Sequence, residues 1–290
     1  MKTVDPSVIR GAGMTVSVSR IGARVVQLTD ATGRRWLVET DRPEPEFTGP
    51  TIDFEKGTRG GWDECIPSID AADDPNPGRA DTTIADHGDF WSRRWNLTEA
   101  SSTALSLDSG TIRHPLLIRK RIQVHRSDAL LRVDLEISNT QEYDYRFLAS
   151  AHPLFAWPST ARLEIGGAGE VRPGFGAAPA FQDDHLEMTL GSVPSTFKIF
   201  VRWDGVARLR FAGVDSTLVL RNPDGLMPWL GICVNRGSWP LACPGADWIA
   251  LEPTTSPTDS LLSAIEDRCA LTLNPGGSVA WTNTIAIIPD

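Results

Sequence analysis

Long apolar runs are missing from this 290-residue chain, as are a CxxC pair, a glycine-rich phosphate cradle and sustained helical patterning. No stretch approaches the ~20 apolar residues that a membrane span needs. The N-terminal MKTVDPSVIRGAG has no apolar segment behind Lys2, so no signal peptide is expected either. Four cysteines (Cys65, Cys233, Cys243 and Cys269) are scattered along the chain and read as reduced, mostly buried thiols in a soluble cytoplasmic protein. Positive charge is short as well. Twenty-eight basic residues against 37 acidic ones leave a net charge of −9, which argues against nucleic acid or an anionic membrane as partner. Lysine is rare, present only at Lys2, Lys56, Lys120 and Lys198, and the arginine bias reflects genome composition more readily than function. No His-x-His pair occurs, and neither a metal nor an organic cofactor is expected.

What the chain does have is a period of two. Leu131, Val133, Leu135 and Ile137 alternate with Arg132, Asp134, Glu136 and Ser138, as in a strand buried on one face. Ile118, Ile122 and Val124 keep that phase, and a turn at His125–Ala129 joins the two segments as a hairpin. Leu271 and Leu273, the turn Asn274-Pro275-Gly276-Gly277, then Val279, Trp281, Ile285 and Ile287 form another strand–turn–strand unit. Shorter strands are expected at 14–19, 24–29, 103–107, 197–202 and 216–221, and a helical turn or two at Ser260–Arg268. Asp70–Asp86, rich in Pro, Gly and Asp, reads as a loop. With no linker and no repeat, these short strands predict an all-β antiparallel sandwich, one domain over residues 1–290, monomeric or homodimeric.

Three segments set titratable residues among aromatics. The first is Gly60-Gly61-Trp62-Asp63-Glu64-Cys65-Ile66-Pro67, followed by Asp86-His87-Gly88-Asp89-Phe90-Trp91-Ser92-Arg93-Arg94-Trp95. The second is Ser150-Ala151-His152-Pro153-Leu154-Phe155. The third is Trp248-Ile249-Ala250-Leu251-Glu252-Pro253, preceded by a stretch that holds Asn235 and Trp239. Each has a plain alternative: a histidine beside an aromatic is often a hydrogen-bonded core residue, and Glu252 could end a strand at the surface. Yet Glu252 follows the apolar Ile249-Ala250-Leu251, and a buried carboxylate needs a reason. Ten tryptophans supply rings suited either to core bulk or to stacking on sugar faces.

These segments resemble the motifs of the aldose 1-epimerase (galactose mutarotase-like) family, in order and in spacing, from about Gly60 to the end. His87 is similar to the family's His-Gly histidine, His152 to the general acid of its His-Pro-Tyr-Phe motif, and Glu252 to its late general base. The Trp62–Pro67 and Glu252-Pro253-Thr254 forms lie nearer the bacterial and hexose-phosphate-epimerase-like branches. The resemblance implies a mutarotase that opens the ring of a sugar with His152 and Glu252. Substrate contacts are expected from His87, Trp62, Asp63, Glu64, Trp91, Arg93, Arg94, Asn235 and Trp239. Two departures keep the sugar undefined: Leu154 replaces the motif's Tyr, and no Asn-Arg pair stands before His87. Arg93 and Arg94, with Arg79 in the loop before them, favour an anionic sugar, because a guanidinium fork grips phosphate, sulfonate or carboxylate. The competing readings are a metal site drawing on His87, His152 and His185, and a glycosidase pairing Asp63 or Glu64 with Glu252. A non-catalytic sugar-binding or regulatory protein on the same fold is the third.

Overall fold

The computed structural model describes residues 7–39, 54, 60–110, 113–157, 160–178, 185–189, 196–237 and 247–290. Two nine-stranded sheets, antiparallel throughout, carry the fold. The first runs in the order Ser7–Gly11, Met14–Val18, Val25–Asp30, Trp62–Cys65, Ser150–Ala156, Asp247–Thr254, Trp229–Arg236, Phe197–Arg202, Val171–Phe175. The second runs His185–Thr189, Thr160–Ile165, Val206–Phe211, Ser216–Arg221, Ser278–Pro289, Leu130–Asn139, Leu116–Val124, Ala104–Ser109, Asn96–Ala100. The expected strands all form, and the architecture is the all-β sandwich that the alternation predicts. The candidate helix is a short one, Leu261–Glu266, whose N-terminal N–H of Ser263 donates to the Ser260 side chain.

The hairpin Leu116–Val124 with Leu130–Asn139 pairs Ile118 with Ile137 and Ile122 with Val133, so the apolar residues of both strands meet on one face. The C-terminal unit differs from a hairpin. Leu271–Leu273 pairs instead with Tyr145–Phe147, while Ser278–Pro289 crosses into the second sheet between Ser216–Arg221 and Leu130–Asn139. At the split, the Asn139 side-chain amide donates to the carbonyls of Leu273 and Asn274. Inside the Asp70–Asp86 loop, Ala72–Asp73 and Thr83–Ile84 make a two-residue ribbon.

The two sheets bury their strands differently. Leu116–Val124 and Leu130–Asn139 alternate between buried and more open positions, because only one of their faces meets the core. Ser150–Ala156, Trp229–Arg236 and Asp247–Thr254 are buried at nearly every position. Their inward residues, including Ala151, Phe155, Leu230, Ile232, Ile249 and Leu251, join the inter-sheet core. Their outward residues are covered too, and that second covered face holds the chemistry.

Candidate active site

In the first sheet, residue parity sorts side chains between core and pocket. Lys198, Cys233, Trp248, Glu252 and His152 alternate with the inward apolar residues of their strands, so all five project from the outer face. Register then brings them together. Ser150 pairs with Thr254 and Leu154 with Ala250, which sets His152 opposite Glu252. On the other side of His152 lies Asp63, and on the other side of Glu252 lies Gly231. The lack of a side chain at Gly231 matters: a Cβ there would sit 3.2 Å from the Glu252 carboxylate, in the gap across which Lys198 reaches. Around these residues lies a pocket of about 440 Å³, walled also by Asp70, His87 and Asp259. That volume is within the about 300–1,000 Å³ usual for small-molecule sites.

His87 arrives from outside the sheet. Its backbone has φ 61°, in the left-handed region that non-glycine residues rarely occupy. The next residue must be glycine, because a Cβ on Gly88 would lie 1.8 Å from the Ile66 carbonyl oxygen. The close approach stitches the loop to the end of Trp62–Cys65, with the Asp89 N–H donating to Ile66 O and the His87 N–H to Ile69 O. Phe54 stacks on the His87 ring at 3.7 Å, and the His87 and His152 rings stand edge to face at 5.1 Å.

Each titratable group is held by a specific partner. His152 Nδ1 lies 3.1 Å from Asp63 Oδ1, whose other oxygen accepts from Arg24 at 3.0 Å. Burial works to raise the Asp63 pKa, but the Arg24 charge and the His152 hydrogen bond hold it well below the usual carboxylate range. For His152, burial favours the neutral ring. The Asp63 hydrogen bond and the Glu252 charge outweigh it and raise its pKa. Glu252 is the reverse case: burial would raise it, yet Lys198 and His152 bring it below its ordinary value. The Lys198 ammonium donates to Glu252 Oε2 at 2.7 Å and to Asp259 Oδ1 at 2.8 Å, while Glu252 Oε1 has no hydrogen-bond partner among the described residues. The site therefore pairs a histidine biased toward its protonated form with a carboxylate biased toward its ionised form. Groups biased in these opposite senses are the kind that general acid–base chemistry can use.

Of the residues expected from sequence, His87, His152 and Glu252 line the pocket, and Asp63 orients His152 from behind. The others that the structure describes lie elsewhere. Trp62 and Glu64 share the inward parity of their strand: Trp62 is enclosed in the inter-sheet core and Glu64 pairs with Lys120 of the second sheet at 2.9 Å. Trp91 is buried beside Phe54, its ring edge-on at 4.9 Å, and its indole N–H donates to Asp86 O. Arg93 is buried near Asp89 and His114, around a separate cavity of about 10 Å³. Arg94 is exposed, bridging Ile21 through its backbone, and Arg79 donates to Asp74. Neither Arg93 nor Arg94 lines the pocket, and the segment after Trp91 turns. Asn235 is buried and accepts from the Thr196 hydroxyl. Trp239 lies outside the described residues. Sequence reasoning missed Lys198, although it stands in the apolar run Phe197-Lys198-Ile199-Phe200-Val201, the same signal that singled out Glu252. A larger hollow of about 720 Å³ lies on the outer face of the second sheet, but its exposed Arg119, Arg121 and Arg132 pair with Glu136, Glu99 and Asp134.

The scaffold has counterparts among solved structures. The fold is that of the galactose mutarotase-like proteins. A galactose mutarotase-like protein from Lactobacillus casei superposes with a TM-score of 0.74, at 17% identity, over 97% of this chain and 99% of that one. The galactose mutarotase related enzyme of Lactobacillus acidophilus gives 0.74 at 13% identity over 97% of each chain. An Escherichia coli protein named as a candidate aldose 1-epimerase gives 0.70 at 15% identity, covering 98% and 99%. No protein-family model and no curated protein matches the sequence.

Proposed function

We propose that the protein is an aldose 1-epimerase, interconverting the α and β anomers of a sugar. Glu252 takes the proton of the C1 hydroxyl, and His152 delivers one to the ring oxygen as the C1–O5 bond breaks. Rotation about C1–C2 presents the other face of the aldehyde. The ring hydroxyl then returns its proton to His152 as it attacks C1, and Glu252 gives back the proton it took. Glu252 Oε1, which has no hydrogen-bond partner among the described residues, is the oxygen left for the first step, and Trp248 and the half-exposed Phe175 supply apolar walls for a sugar ring. The observation that carries this reading is convergence: His87, His152 and Glu252, remote in sequence, meet around one pocket in an acid–base arrangement. The described lining gives an anionic sugar no arginine, and Asp70, Asp86, Glu252 and Asp259 face Lys198, so a neutral aldose is the better supported substrate.

One observation favours a second reading. A base tied into an ion pair with Lys198 also suits a binder that never moves a proton. NMR exchange spectroscopy on a panel of neutral, 6-phosphorylated and uronic aldoses separates the two. An epimerase accelerates anomer exchange, and Glu252→Gln or His152→Ala lowers the acceleration by about 10²–10⁴-fold with the fold retained. Exchange at the uncatalysed rate with every bound sugar would leave the binder.

A further inference from the structure

We propose that Cys65, His87 and His152 form a site for a thiophilic divalent cation of the zinc class, where the pocket wall made by His87 and His152 meets the buried Cys65. Each residue offers one donor atom, and the three atoms all lie within 4.8 Å of one another. A tetrahedral zinc ion with bonds of about 2.0–2.3 Å sets its donors about 3.3–3.6 Å apart, so closure requires a contraction of roughly 1 Å. Cys65 and His152 are fixed in neighbouring strands, whereas His87 rides on the loop between Asp86 and Gly88.

Each imidazole is backed by a carboxylate, and a cation binding here would displace the proton that Asp63 favours on His152. Asp86 Oδ1 lies 2.8 Å from His87 Nδ1 and Asp63 Oδ1 lies 3.1 Å from His152 Nδ1, which leaves Nε2 of each ring for a ligand. Such carboxylate–histidine pairs fix the tautomer of a metal-binding ring and strengthen it as a donor. One sulfur and two nitrogens select zinc over magnesium or calcium, which take oxygen. The thiol is the residue that sugar chemistry leaves over. Proton transfer between oxygens has no use for Cys65, which is fully buried against Ile69, Ile84 and Leu148 yet directs its sulfur toward both histidines. The plain alternative is a thiol that only packs. An occupied site withdraws both imidazoles from proton transfer, so the cation would inhibit the reaction proposed above.

The test reads metal binding itself and is independent of whether the pocket turns over sugars. Chelator-stripped protein is titrated with Zn²⁺ against a chromophoric chelator, and separately with Co²⁺ while its absorption is followed. One equivalent of cobalt should give a thiolate charge-transfer band in the near ultraviolet with the intense visible bands of a tetrahedral ion. Cys65→Ser should abolish the charge-transfer band and weaken zinc by at least about 100-fold, and Asp86→Asn should weaken it by about 10-fold. Cys233→Ser, on the pocket floor, should change neither. If Cys65→Ser does not fold, His87→Gln at the pocket wall serves in its place, with the visible bands collapsing toward those of a looser site. No binding, or a charge-transfer band that survives Cys65→Ser or is lost in Cys233→Ser, overturns the proposal.

Discussion

The Lys198 ammonium lies 2.7 Å from Glu252 and 2.8 Å from Asp259, and all three are enclosed enough that water screens them little. Burial alone would lower the Lys198 pKa, but the charges of Asp259 and Glu252 raise it well above its ordinary value, so the lysine is a fixed cation. It keeps Glu252 ionised and, by the same interaction, makes it a weaker base. Removing the cation leaves burial as the main influence on Glu252 and raises its pKa. Since the proposed reaction needs Glu252 ionised, the acidic limb of kcat/KM should move to higher pH in Lys198→Met and return in Lys198→Arg. A limb that stays in place in Lys198→Met would mean that the reaction does not draw on the ionised form of Glu252.

A loop, rather than a strand, brings His87 to the pocket, and a buried polar network pins that loop. Asp74 accepts from the Tyr145 hydroxyl at 2.9 Å and the Asn76 amide at 2.8 Å, and lies 3.1 Å from His114 Nδ1. His114 Nε2 in turn contacts Asp89 at 2.7 Å, two residues beyond His87. Burial by itself would raise the Asp74 pKa, but the hydrogen bonds from His114, Asn76 and Tyr145 outweigh it and bring it to about 2. A depressed carboxylate stabilises the fold above its unfolded pKa of about 3.9, and that stabilisation fades as pH falls through the folded value. Asp74→Asn should therefore cost about 2 kcal/mol in urea unfolding near pH 5, and the gap to wild type should narrow toward pH 2. A gap constant from pH 5 to pH 2 would mean that the network contributes through shape and not through charge. The strands of this element set were legible in sequence because one-sided burial writes a period of two, as in Leu131–Ile137. The loop was not: His114 and Asp74 are 40 residues apart and no local pattern marks them as partners. The pocket strands were only half legible, because burial on both faces erases the alternation that would say which residues face the site.

At the scale of the whole molecule, an ion pair joins the two sheets through the core, and it tests whether parity has sorted site from core correctly. Lys120 shares the inward face of Leu116–Val124 with Leu116, Ile118 and Ile122, and meets Glu64 at 2.9 Å with both side chains enclosed. The Lys120 ammonium also lies 5.9 Å from the centre of the Trp62 ring. Burial raises the Glu64 pKa and the Lys120 charge only partly offsets it, so the carboxylate gains less from its partner than it loses in leaving water. Removing one member leaves an uncompensated buried charge, and Glu64→Leu alone should cost about 3–5 kcal/mol. Replacing both, as Glu64→Leu with Lys120→Met, should be neutral or stabilising by about 1–4 kcal/mol, because an apolar pair fills the space without desolvating ions. Guanidinium unfolding of the two variants gives the comparison directly. Function gives the second half of the test. Glu64 and Asp63 are adjacent, but their side chains leave opposite faces of the sheet, so the double variant should retain the pocket and the proposed anomer exchange while Asp63→Asn disturbs His152 and slows it. A double variant that folds well and loses exchange would place Glu64 back among the substrate contacts.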